Sequence, residues 1–167
     1  MKILKLSEFR IVMCFKTLVL FLLAFSCSIA QANELDKAQG LFDSGKYDQS
    51  IYYYLKHIKY NPSDLESKVA LSQAYIKTHK YDKAINKLDE VTAVIMSHEN
   101  AITLRAHALA VQKQWTRLLL DADSLVQIDP LNKQAYMYMD MAYVGLGDQQ
   151  SAAESMARYE VVSTQSN

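Results

Sequence analysis

Past residue 32 this chain has no cysteine: Cys14 and Cys27 are its only two, and both fall in the first 32 of 167 residues. The remainder cannot build a disulfide, a thiolate nucleophile or a cysteine-based zinc site. Glycine and proline are also scarce, four and two residues respectively, which is few for an all-β chain and comfortable for an all-α one. No pair among His57, His79, His98 and His107 has the three- or four-residue spacing of a helical metal motif. Gly40 and Gly145 form no phosphate loop, and no Ser-His-Asp constellation can be argued from spacing. Asp121 and Asp123, two apart on a helix, point to different faces and cannot act as a paired acid and base. The expectation is therefore a chain that is not an enzyme, with no catalytic residue, cofactor or metal. Excess positive charge is missing too. Residues 33–167 carry 14 basic and 17 acidic side chains, net −3, which argues against a nucleic-acid partner. Lys77, Lys80, Lys83 and Lys87 are interleaved with Asp82, Asp89 and Glu90 and read as a solvated helix surface.

What is present begins with a leader. Lys2, Lys5 and Arg10 precede an uncharged apolar stretch, Thr17 to Ala30, and Ala30-Gln31-Ala32 has the small-x-small pattern cut by signal peptidases. The expectation is a signal peptide over residues 1–32 and an exported, periplasmic protein. An anchored alternative stays open, because Ile11 to Ala30 is long enough to span a bilayer if uncleaved. Ala24-Phe25-Ser26-Cys27 also resembles a lipobox, imperfectly. Membrane contact is expected only through this segment.

The rest repeats. Tyr47, Tyr81 and Trp115 stand 34 residues apart, and Pro62 and Pro130 are separated by twice that spacing, Gly45 and Gly147 by three times. Ser50, Ala84 and Ala152 keep this phase, as do the small residues Ala38, Ser72 and Ala106. Within the period, Leu71, Ala74, Tyr75 and Thr78 form one helical stripe and Ile85, Leu88 and Val91 another. Gly45 and Gly147 sit where a helix must end and reverse, a position that favours left-handed backbone, and His79 takes that position in the second repeat. Ser63 and Glu66, three apart, read as a capping box.

This pattern resembles the tetratricopeptide repeat (TPR), a helix–turn–helix unit of 34 residues. The resemblance implies an all-α, right-handed solenoid of four units over residues 33–162, with 163–167 a disordered tail. Eight helices are expected near 34–44, 47–60, 64–78, 81–94, 99–112, 115–128, 133–145 and 148–162. Several residues depart from the family pattern. Lys37 and Arg105 occupy large apolar slots, Leu118 and Ala122 exchange volumes, and Met96 replaces a closing proline, so the fourth helix is expected to run longer.

In such solenoids the first helix of each unit lines a concave surface. Mapped by slot, the resemblance implies a groove of Gln39, Phe42, Gln73, Ile76, Lys77, His107, Ala110, Met141 and Val144. Leu35, Val69, Thr103 and Met137 fill the slots where the carboxylate-clamp subtype needs polar or basic groups, so that subtype is rejected. The implied function is a non-catalytic scaffold of the cell envelope that binds a peptide or protein, as in pilus or secretion assembly. The alternative is a self-associating structural module, in which the terminal repeats stack using a charge asymmetry. Residues 33–87 carry net +2 (nine basic, seven acidic) and residues 88–167 net −5 (five basic, ten acidic).

Overall fold

The protein's computed structural model describes residues 34–165, within which the backbone forms eight helices and no strand. The leader, with its cleavage, anchor and lipid alternatives, lies outside the described residues. Helix α1 covers residues 34–43. It is followed by α2 (Tyr47–Tyr60), α3 (Leu65–Lys77), α4 (Tyr81–Val94), α5 (Glu99–Val111), α6 (Trp115–Ile128), α7 (Lys133–Leu146) and α8 (Gln149–Gln165). Neighbours in sequence pack against each other, and α3 also touches α5, as α5 touches α7. First helices thus form one layer and second helices another.

The turns inside the units repeat with the sequence. Gly45, His79, Lys113 and Gly147 all have positive φ (73°, 58°, 56° and 85°), one every 34 residues. After each, a backbone N–H reaches back over five residues: Lys46 to the Leu41 carbonyl, Lys80 to Tyr75, Gln114 to Leu109 and Asp148 to Tyr143, at 2.8–3.0 Å. This satisfies carbonyls that a helix end leaves orphaned. His79 and Lys113 adopt a conformation disfavoured for a side chain by about 1 kcal/mol, so the closure, not the glycine, defines the motif.

Between units a second periodic device starts the next first helix. Asp64, His98 and Asn132 are the N-caps of α3, α5 and α7, accepting from the N–H groups of Ser67, Ala101 and Ala135 at 3.0, 3.3 and 3.1 Å. The capping box expected at Ser63 is thus displaced by one residue: Asp64 makes the bond, and Glu66 turns outward to accept from the His98 Nε2 at 3.3 Å. Asp64 is also hooked from behind by the buried His57, whose Nε2 lies 2.9 Å from Oδ2. Burial works against the Asp64 carboxylate, but bonds from Ser67 and His57 outweigh it and hold its pKa below the ordinary 3.8.

Small residues at fixed slots let the helices approach. Ala38, Ser72, Ala74, Ala106, Ala108, Ala122, Ala135 and Ala142 are all fully buried, interlocked with Leu71, Leu88, Leu109, Leu118 and Leu125. Each such leucine contributes about 1.5–3 kcal/mol of burial. Leu118 and Ala122 are both fully buried, so the exchanged pair keeps the volume of its layer. Helix α4 is not lengthened by the loss of proline. It ends at Val94, with 14 residues as in α2 and α6, because Ile95 leaves in extended conformation (φ −124°, ψ 95°). At the other end, α8 continues to Gln165, into the stretch expected to lack order.

The charged residue in the third unit's core slot is accommodated by a network. Arg105 donates through Nε and Nη2 to both carboxylate oxygens of Asp121, at 2.9 and 2.7 Å, and through Nη1 to Asp89 at 2.8 Å and to the Thr92 hydroxyl. Arg117 closes on Asp89 from the solvent side. Burial disfavours the guanidinium charge, but Asp121 and Asp89 more than offset it, so the Arg105 pKa is raised above its ordinary value. Asp123, two residues from Asp121, is exposed on the other side of α6.

Candidate functional site

The layer of first helices encloses an open hollow of about 440 Å3. Phe42 from α1, Gln73, Ile76 and Lys77 from α3, Thr103, Leu104 and His107 from α5, and Gln134 and Tyr138 from α7 line it. Every unit therefore contributes to one surface. The stacking of α3 on α5 and of α5 on α7 brings these side chains together, because each position recurs on the same face of successive first helices.

Its floor is apolar and its rim polar. Phe42 and Ile76 are half-buried and pack against the core of the first two units. Tyr138 is buried and its hydroxyl accepts from Gln134 Nε2 at 2.9 Å; burial raises its pKa, so it stays a neutral phenol. Lys77 and His107 are exposed at the rim. Lys77 has no ion pair among the described residues, a state it shares with Lys46, Lys83 and Lys133, and it stands beside the apolar floor. A cation beside an apolar floor can receive a chain carrying an apolar side chain next to a carboxylate or carbonyl.

Five of the nine expected groove residues meet here: Phe42, Gln73, Ile76, Lys77 and His107. Gln39 does not. Its amide donates to Asp43 at 2.8 Å and its oxygen accepts from the Tyr54 hydroxyl at 2.9 Å. It lines a neighbouring hollow of about 490 Å3 with Leu35, Tyr54, Asp64 and Ser67. Ala110 belongs to the core, at 8% exposure, and offers nothing to the open surface. Met141 and Val144 are exposed on α7 but line neither hollow. Thr103, Leu104, Gln134 and Tyr138 were not among the expected groove residues. The signal was available: Asp36, Ala70, Leu104 and Tyr138 share one slot and grow from polar to bulky apolar along the chain.

The three adjacent tyrosines separate as α2 requires. Tyr54 is buried in the aromatic core slot. Tyr53 is half-buried beneath the Lys37 ammonium, 4.5 Å from its ring centre, and Tyr52 stands exposed, edge-on to Tyr53. No group of three or more potential metal ligands occurs among the described residues.

No family model and no curated protein matches the sequence. Solved structures do match the fold. A crystal structure of MamA protein superimposes with a TM-score of 0.76 at 16% identity, over 80% of this chain and 73% of that one. MamA from Desulfovibrio magneticus RS-1, residues 41 to the end, gives 0.75 at 18% identity, over 81% and 76%. The first TPR of Spaghetti (RPAP3), bound to the HSP90 peptide SRMEEVD, gives 0.65 at 20% identity, over 70% and 93%. The fold is that of a tetratricopeptide-repeat solenoid.

Proposed function

We propose that this chain is a non-catalytic protein-interaction scaffold of the cell envelope, holding an extended or helical segment of a partner protein in the hollow of its first helices. The observation that carries the reading is that all four units converge on one open surface with an apolar floor and an unpaired cation at its rim. Such a surface suits a peptide. The RPAP3 repeat domain, of like fold, is solved with a peptide bound, which supports this use of the architecture. The envelope setting rests on the leader pattern of residues 1–32, and an assembly or secretion component is the kind of partner that setting supplies.

The test is photocrosslinking in living cells, with the crosslinker placed at Phe42, Gln73, Ile76 or His107 and, as controls, at the exposed second-helix positions Tyr52 and Leu120. Hollow positions should capture one shared partner that the controls do not. Adducts that are identical from both sets, or absent from the hollow, overturn the reading.

A further inference from the structure

The loops between units form one edge of the solenoid, and that edge carries a row of exposed apolar side chains. Short connections make successive helices antiparallel, so each second helix ends where the next first helix begins. Side chains tie this edge together: His98 Nε2 lies 3.3 Å from Glu66, and Asn132 Nδ2 donates to Glu99 at 3.4 Å, joining the starts of α3, α5 and α7. Tyr60, Val94 and Ile128, 34 residues apart, end α2, α4 and α6 on it and are exposed. Ile95, Met96 and Leu131 follow in the loops. Met96, in the slot that Pro62 and Pro130 fill elsewhere, is 82% exposed. The turns at the opposite edge carry exposed lysines instead, Lys46, Lys80 and Lys113.

A row of this kind marks a surface that something covers, and the chain leading into α1 indicates what. Glu34 lies on the same edge, because Lys56, near the end of α2, donates to its Oε1 at 2.5 Å. The uncharged leader stretch, Thr17 to Ala30, stops four residues before Glu34. Four residues reach at most about 14 Å, whereas the opposite edge is a helix length, about 20 Å, further away. A leader kept in a bilayer therefore brings the apolar edge, rather than the lysine-bearing one, to the lipid. Lys2, Lys5 and Arg10 at its far end favour the orientation that leaves the solenoid on the outer side. Among the described residues no helix is long and apolar enough to cross a membrane, so they meet it only at its surface. On this edge the exposed Lys59 and Lys133 are balanced by Glu99 and Asp129, so the contact is apolar and does not select anionic lipid.

We propose that the edge formed by the loops between units is seated on a lipid bilayer, with the leader retained in the membrane as an anchor and Val94, Met96 and Leu131 dipping among the headgroups. Of the fates open to the leader, release would leave this apolar row in water, whereas retention covers it. The hollow of the first helices shares no residue with the edge and stays open to a partner. Partner capture there does not depend on the lipid contact, and either can fail alone.

The test is tryptophan quenching in the full chain, extracted from cell membranes and reconstituted into phosphatidylcholine vesicles with acyl chains brominated near the headgroup. Trp115, the only native tryptophan, starts α6 at the opposite edge and serves as the internal control. The emission added by Met96→Trp should fall by at least about half in brominated vesicles, and that of Trp115 in the unaltered protein by less than about a tenth. Leu131→Trp, a second position on the edge, should behave like M96W, with helicity unchanged by circular dichroism. The intact mass of the extracted protein should include the leader. Protein confined to the soluble fraction, or beginning at Asn33, overturns the proposal. So does added emission that brominated lipid leaves unchanged, which, if shifted to shorter wavelength, would assign the edge to a second protein chain instead.

Discussion

Lys37 and Arg105 occupy the same slot two units apart, yet their surroundings have little in common. Lys37 lies on the first described helix, with no unit before it among the described residues, and reaches solvent across the Tyr53 ring. Arg105 lies between two units, is only 16% exposed, and is held by carboxylates from α4 and α6. A charge in a core slot is tolerated at the free end because water still reaches it. In the interior it survives only because Asp121, itself buried, and Asp89 were placed to receive it. The cost of a departure from the repeat pattern is thus set by position along the solenoid, and by whether a partner has been supplied.

Breaking the interior arrangement should have the largest effect. Arg105→Ala leaves Asp121 buried at 4% exposure with no cation, and should destabilise the protein by about 3–5 kcal/mol, read from urea unfolding followed by circular dichroism. Removing both charges with apolar groups of similar volume, as in R105M/D121L, should recover all but about 1 kcal/mol of that loss. A double variant as weak as R105A would mean that the network contributes more than mutual neutralisation.

The next effect concerns a close approach between α6 and α7. Gly145 faces the Trp115 indole so closely that an added methyl would collide with the ring. Gly145→Ala should therefore force Trp115 aside and cost about 1–3 kcal/mol, with a shift in tryptophan emission as the direct readout. The same substitution at Gly40, where nothing stands within 4 Å, should leave stability at or slightly above wild type.

These contrasts show what the sequence made legible. The period placed every helix to within a few residues, because Tyr47, Tyr81 and Trp115 and the turn positions lock the phase. It also placed His79 in the turn, and it identified five of the residues that line the hollow. It did not distinguish Lys37 from Arg105, since slot identity says nothing about which side chains from other units arrive there. Ser63 was preferred over Asp64 as the cap for a similar reason. The Ser-x-x-Glu spacing is local, whereas Asp64 is selected by His57 reaching it from the preceding helix. Ala110 was misread because a small residue in a groove slot lets neighbouring helices close over it.

The Asp64 hook tests a link between units that lies nearer the free end. Asp64→Ala removes the cap of α3 and should cost about 1 kcal/mol at neutral pH. The carboxylate's pKa is lowered in the folded protein, so its contribution is complete above the unfolded value and is lost as pH falls through the folded one. The stability gap between wild type and D64A should therefore be constant at neutral pH and narrow below about pH 4. A gap that does not narrow at all as pH falls from about 5 to about 3 would assign the effect to packing around His57 instead.

Lys37→Met should produce the smallest change and is the direct counterpart of R105M. The variant puts the residue type usual for the slot beside Tyr53, where Lys37 already rests its ammonium on the ring. The Lys37 pKa is raised, first by its interaction with Tyr53, but the side chain is fully exposed and solvent screens the attraction. The urea midpoint of K37M should thus match that of wild type, while R105M alone, which strands Asp121, lowers it clearly. Equal losses in the two variants would mean that exposure at the end of the solenoid does not excuse a misplaced charge, and that Lys37 is held by something its open position conceals.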